Sequence, residues 1–197
     1  MTTPQEPAPL ADGAATPASE VPTRLVGLPP VVSDRTVVLV LGSFPGAASL
    51  KAQQYYGHPQ NHFWRILQSL WPQHPLPPAG PQHYGQRCAW LLERRLGLWD
   101  VYASCEREGS LDTSIRNAVV NDFAQLLREC PGLRAIAHNG GESFKHSAAV
   151  RQQWAGAYPG AQVQSVRLPS TSPANASWSF ERKQTAWAEL MAAHGLL

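Results

Sequence analysis

The chain has 197 residues, 43% of them hydrophobic, which is enough for one sizeable core, so a single folded domain is expected rather than two. No apolar stretch approaches a membrane span and no basic, apolar leader opens the chain, which makes cytoplasmic residence the expectation. A formal net charge of +2 permits contact with phosphates without demanding it, and Cys88, Cys105 and Cys130 are odd in number and too widely spaced for a disulfide framework or CxxC metal site.

Residues 1–24 are dominated by Pro, Ala, Thr and acidic side chains with almost nothing large to bury, so a disordered arm is expected there, with the folded domain over 25–197. Thr36 to Leu41, TVVLVL, reads as a strand buried on both faces, stopping at Gly-Ser-Phe-Pro-Gly. Phe63, Ile66, Leu67 and Leu70 fall at helical spacing, Pro72 limits that helix, and Pro72 to Pro81 is a connector. Leu96 to Tyr102 reads as a second strand and Val119 to Cys130 as an amphipathic helix closed by Pro131-Gly132. Leu133 to His138 reads as a third strand halted at Asn139-Gly140-Gly141, and Glu142 to Trp154 has helical composition. Gln162 to Leu168 alternates as a fourth strand, breaks at Pro169, and a last helix runs from about Phe180 to His194.

This alternation predicts a three-layer α/β fold, with a central, mainly parallel four-stranded sheet flanked by helices, because parallel neighbours need crossover connections. Ligands of such sheets bind beyond the carboxyl ends of the strands, which directs attention to 42–59, 100–112, 139–141 and 169–175.

In the first of these segments, Gly42 and Gly46 bracket a tight turn through Ser43 and Phe44, stiffened by Pro45, whose backbone N–H groups can point at a ligand. It lacks the Gly-Lys-Ser/Thr of a P-loop and the third glycine of a dinucleotide fingerprint, and such a turn alone is structural more often than catalytic. Tyr55 and Tyr56 could stack on an extruded base, a contact worth roughly 1–3 kcal/mol, or equally serve as core tyrosines. Asn61 stands where the helix should begin and, on the residues alone, reads as its cap. His58 could be a general base by type but more often such a histidine is a structural hydrogen-bonder, and His58 and His62 lack partners at metal spacing. In LPSTSPANASW, Ser170, Thr171 and Ser172 lie between Pro169 and Pro173, a rigid hydroxyl loop suited to phosphate oxygens or simply a capped turn. Ser170 lacks the Gly-x-Ser-x-Gly elbow of a nucleophile. Asp100 ends an apolar strand, where a carboxylate is costly unless paired or functional, and Asn139 ends another, where it could also just support the glycine turn.

Taken in order, GSFPGAASL…YYGHPQNHFW, GLWDV…GSLD, IAHNG and LPSTSPAN resemble the uracil-DNA glycosylase superfamily, most closely its hypoxanthine-DNA glycosylase branch, over roughly residues 26 to 190. The resemblance implies a monofunctional DNA glycosylase with Asn61 as the catalytic, water-orienting residue. It further implies that Gly42, Ser43, Phe44, Pro45, Tyr56, Asp100 and Asn139 bind the base, and that Ser170, Thr171, Ser172 and Pro173 hold DNA, with the 172–174 edge available as a wedge. The partner implied is DNA containing deaminated bases, bound by a monomer with no metal, no cofactor and no membrane contact. Three unpaired cysteines also leave no room for the four-cysteine iron–sulfur cluster of some glycosylases.

HPxNxFW, here His58 to Trp64, is similar also to mismatch-specific uracil/thymine enzymes, which keep a uracil- or mismatch-directed activity as the alternative, together with a non-catalytic DNA-binding descendant of the fold. Those enzymes place an asparagine at the loop position that is Phe44 here, and classical uracil enzymes a histidine where Leu168 stands. These departures are what point to hypoxanthine. No lysine stands at the implied site, which argues against Schiff-base chemistry, Lys51 being the nearest in sequence.

Overall fold

The computed structural model describes residues 24–160 and 162–197. At its centre β2, Val38–Gly42, is buried along its whole length, as VLVLG requires of a strand covered on both faces. It runs parallel to β3 (Leu96–Asp100) on one side and to β6 (Ala135–Asn139) on the other, and β7 (Gln164–Leu168) pairs outside β6, in the order β3-β2-β6-β7. The register sets Gly42 opposite Asp100, and Asn139 opposite Leu168, so the carboxyl ends of all four strands share one edge.

Alternate residues of β2 feed opposite faces. Val38 and Val40 pack with Phe63, Ile66 and Leu67 of α2 (Phe63–Leu70), Leu91 of α3 (Tyr84–Glu93), and Trp187 and Met191 of α7 (Phe180–Ala193). Leu39 and Leu41 pack with Phe123 of α4 (Phe123–Arg128) and with Val150 and Trp154 of α6 (Ser147–Ala157). The three expected layers are therefore present, and each fully buried Leu, Ile or Phe contributes on the order of 1.5–3 kcal/mol. The ends of the long helices follow local chemistry: Ser179 Oγ accepts from Arg182 N–H at the start of α7, and α2 stops at Leu70, two residues before Pro72.

Several expectations need correction. The expected strand Leu96 to Tyr102 divides at Val101. Val101 and Tyr102 N–H donate to the carbonyls of Gly42 and Ser43, after which the chain leaves the parallel sheet and continues as β4 (Tyr102–Glu106). That strand is the middle of a second, antiparallel sheet, between β1 (Arg24–Val26) and β5 (Arg116–Val120). The expected helix 119–130 is accordingly only α4, because Val119 and Val120 pair with β4. It starts after Asp122, whose carboxylate accepts from Ala124 N–H. Residues 142–154 form two helices, α5 (Gly141–Phe144) and α6, and α1 (Ala47–Ala52) and α3 are additions. Apart from Arg24, which pairs in β1, the expected N-terminal arm lies outside the described residues. Among the described residues no helix is long and apolar enough to cross a membrane, and Cys88, Cys105 and Cys130 are free thiols.

Candidate active site

A cavity of about 940 Å³ opens at the carboxyl edge of the parallel sheet, and every residue that the sequence nominated for catalysis, base binding or DNA contact lines it. The carboxyl ends of the four strands and the loops that follow supply them: 42–61 from the end of β2, Asp100 at the end of β3, Asn139 at the end of β6 and 168–175 from the end of β7.

Gly42 and Asp100 are neighbours in register. A Cβ on Gly42 would collide with Asp100 Oδ1 and reach within 3.8 Å of Tyr56 Oη, so only glycine lets the carboxylate and the phenol share this floor. Asp100 is 4% exposed and its Oδ2 is buried without a hydrogen-bond partner among the described residues. Burial, with a smaller contribution from the charge of Asp112 and against that of Arg107, pushes its carboxyl up from 3.8 to about 7. A buried carboxyl with a free oxygen in a cavity is a poised acceptor for a ligand's N–H.

Tyr56 forms the wall beside it. Its ring stacks on Phe63 with centroids 3.9 Å apart, Tyr56 lines the cavity, and its Oη accepts from Asn139 Nδ2 at 3.1 Å. Tyr56 adopts φ 53°, a left-handed conformation that costs a bulky residue on the order of 1–3 kcal/mol, and the stack and hydrogen bond hold it there. Burial raises the phenol well above its ordinary value, so it remains protonated.

Asn139, expected to read the base edge, has its amide engaged within the protein. Its Nδ2 donates to both Tyr56 Oη and Thr171 Oγ1 (2.9 Å), while its Oδ1 accepts from Thr171 N–H (2.9 Å). Both amide donors are engaged, and Asn139 is a clamp joining the stacking wall to the loop after β7. Thr171 is likewise corrected: it is fully buried with its hydroxyl turned to Asn139, so it supports the loop rather than gripping phosphate. Ser170 and Ser172 close the loop's turns, accepting from Ser172 N–H and Ala174 N–H, and Pro173 is exposed at the tip.

Asn61 precedes α2. Its Oδ1 accepts from Phe63 N–H at 3.0 Å, the capping contact expected from its position, although His62 occupies the cap position itself. Capping uses one lone pair, and Asn61 lines the cavity as well, so its amide can also hold a water there. His58 lines the cavity too, but its Nδ1 accepts from Gln60 N–H, the structural role expected of a histidine before proline.

The turn at 43–47 is tied to the second sheet. Ser43 Oγ donates to Asp112 Oδ1 at 2.6 Å and Ala47 N–H to Ser110 Oγ at 2.9 Å, while among the described residues the Ser43 and Phe44 amides donate to no loop carbonyl. The Phe44 ring is packed in the core beside Arg107, so this residue meets the cavity through its backbone. The expected segment 100–112 reaches the site through 110–112, although no role was expected of those side chains, and Arg167, whose guanidinium lies over Gly141, was not expected there at all. The former arrives through antiparallel pairing that short, polar strands do not advertise; the latter could have been suspected as a cation one residue before the loop. Among the described residues no group of His, Cys, Asp and Glu gathers as a metal site.

This geometry has relatives. The model of the uracil DNA glycosylase superfamily matches residues 29–191. A hypoxanthine DNA glycosylase of Methanosarcina barkeri is 36% identical over 167 residues, covering 83% of this chain and 95% of that protein. One of the same name from Methanosarcina acetivorans is 34% identical over 157 residues, covering 80% and 92%. The solution NMR structure of a candidate uracil DNA glycosylase from Methanosarcina acetivorans superposes with a TM-score of 0.66 at 32% identity, over 85% of this chain and 99% of that one.

Proposed function

The chain belongs to the uracil DNA glycosylase superfamily, and from that premise we propose that it hydrolyses the N-glycosidic bond of hypoxanthine in DNA. The observation that carries this reading is that Asp100, whose Oδ2 has no hydrogen-bond partner among the described residues, lines one cavity with the turn through Ser43 and Phe44, whose backbone N–H groups we take as the donors. Deamination of adenine turns the N1 acceptor into an N1–H donor and the 6-amino group into a carbonyl. A site offering an acceptor beside donors reads that switched edge and leaves adenine with two mismatched groups, each unpaired contact costing about 1–3 kcal/mol.

The base must first leave the duplex, at a cost of a few kcal/mol that is lower for a weakly paired base. It then stacks on Tyr56. As the bond from C1′ to the base nitrogen breaks, its electron pair leaves with the base and positive charge grows on the sugar. The Ser43 and Phe44 amides meet the growing negative charge on the base carbonyl, an interaction stronger in the transition state than before it. Asn61 holds the water that captures the sugar at C1′, and the proton this water releases ends on the departed base, which leaves as neutral hypoxanthine. A cation-like sugar needs a placed water more than a strong base, so an amide suffices. Ser170 and Ser172 hold the flanking phosphates. On this reading the chain acts as a cytoplasmic monomer, with water as its only co-reactant.

The test is base release from matched duplexes carrying hypoxanthine, xanthine, uracil or thymine. Fastest release of hypoxanthine supports the assignment. Faster release of uracil or thymine, with hypoxanthine left in place, overturns it.

A further inference from the structure

Behind the loop after β7 lies a second cavity, of about 580 Å³, which shares Pro173, Asn175 and Trp178 with the first. Its remaining wall includes His62 and Arg65, from the start of α2, and Phe180 and Lys183 of α7, and no carboxylate lines it. Glu181, the acidic neighbour in sequence, is exposed and not part of the lining, although its charge is felt at His62 and Arg65.

The cations here are arranged rather than scattered. The exposed Arg65 carries its guanidinium 4.6 Å from the centroid of Phe180, and Arg182, itself not part of the lining, lies 4.3 Å from that of Trp178, which is part of it. Each flat guanidinium is thereby held by an aromatic face with its N–H edge free for an oxyanion. Lys183 is 1% exposed, and its Nζ donates to the carbonyls of Asn175 (3.0 Å) and Ser172 (3.5 Å), so a buried ammonium sits directly beneath the hydroxyl loop. None of these three cations is in an ion pair among the described residues. His62 Nδ1 is also buried without a partner, and burial, followed by the charges of Lys183 and Arg65, lowers its pKa, so it adds a polar but uncharged wall at neutral pH. A buried cation without a counter-ion is costly, and an anionic ligand is what offsets that cost.

We infer that this cavity is a second DNA subsite, taking the sugar-phosphate backbone next to the extruded nucleotide, with Arg65 as its direct phosphate ligand. The inference rests on the glycosylase reading, because a strand that delivers a base to the first cavity has to leave it across the ridge of Pro173, Asn175 and Trp178. Lys183 acts as a positioning residue. It fixes the loop carbonyls and places positive charge under the phosphates that the loop meets.

The experiment measures binding of the full chain to a duplex carrying one tetrahydrofuran abasic analogue, which fixes the site while offering no base to release, as a function of salt, for wild type, Arg65→Gln and Arg65→Lys. Each phosphate neutralised contributes about 0.9 to the slope of log K against log salt, so Arg65→Gln should lower the slope by about that much and Arg65→Lys should restore it. Trimming the duplex on one side of the site should abolish the difference between wild type and Arg65→Gln. An unchanged slope, or the same deficit on duplexes trimmed on either side, overturns the inference. Because this readout needs no base release, a wild type that binds in this way but frees no hypoxanthine would sink the proposed function and leave the subsite standing.

Discussion

Replacing Asp100 by asparagine separates the energetic cost of this site from its use. The carboxyl is held near 7 in the folded chain against an ordinary 3.8, so between those values the native state binds a proton that the unfolded state has released. Stability therefore falls as pH rises through that window and levels off above about 7. Each pH unit is worth about 1.4 kcal/mol, which makes the loss roughly 4 kcal/mol across the window. The amide that replaces the carboxyl cannot ionise. In urea unfolding from pH 4 to 8, the stability of Asp100→Asn relative to wild type should rise with pH by an amount of that order. Its constant offset reports the new amide's hydrogen bonding and is not the quantity of interest. Excision should move the other way: the carboxylate that accepts the base N–H exists only above about 7, so the wild-type single-turnover rate on an inosine duplex climbs through that pH and the variant's does not. A relative stability that is flat with pH would show that Asp100 ionises as it would in water, and would refute the argument from burial and the orphaned Oδ2.

Two further perturbations address the walls of the cavity. Tyr56→Ala removes the stacking face and should weaken capture of the extruded base by roughly 1–3 kcal/mol, about 5- to 150-fold, read from the fluorescence of a 2-aminopurine placed beside inosine. Gly42→Ala sets a methyl against Asp100 Oδ1 and should abolish excision while the chain remains folded by circular dichroism; retained excision would show that the floor is more yielding than its geometry suggests.

What the sequence disclosed followed the strength of local patterning. VLVLG and the Phe63–Leu70 helix declare themselves because a continuous apolar run and a 3.6-residue period each have one packing solution, burial on two faces or on one. LGLWDVY is equally apolar, but nothing local marks Val101 as the point where the chain changes sheets; that depends on its hydrogen bond to the Gly42 carbonyl. The helix expected at 119–130 failed because β-branched Val119 and Val120 find strand partners in Ser104 and Tyr102, long-range contacts that override helical composition. The placement of the site residues was legible because parallel strands in register must deliver their exits to one edge. The division of labour among them was not. Asn139 lies where a base reader could stand, and only the positions of Tyr56 and Thr171 show that its donors are already engaged. Asp112 and Ser110 reach the turn at 43–47 through the antiparallel sheet, whose strands RLV, YASCE and RNAVV carry little hydrophobic signal.

The central claim is that Asn61 places the water that hydrolyses the bond, and it is tested most directly by release of free hypoxanthine from an inosine-containing duplex under single-turnover conditions, wild type beside Asn61→Ala. The substitution also removes the contact to Phe63 N–H, so unfolding in urea, measured alongside, should show a loss of about 1 kcal/mol with the fold intact. Excision by the variant should be slower by about 100-fold or more. Excision by the folded variant at near the wild-type rate would contradict the claim and leave Asn61 as a helix cap alone.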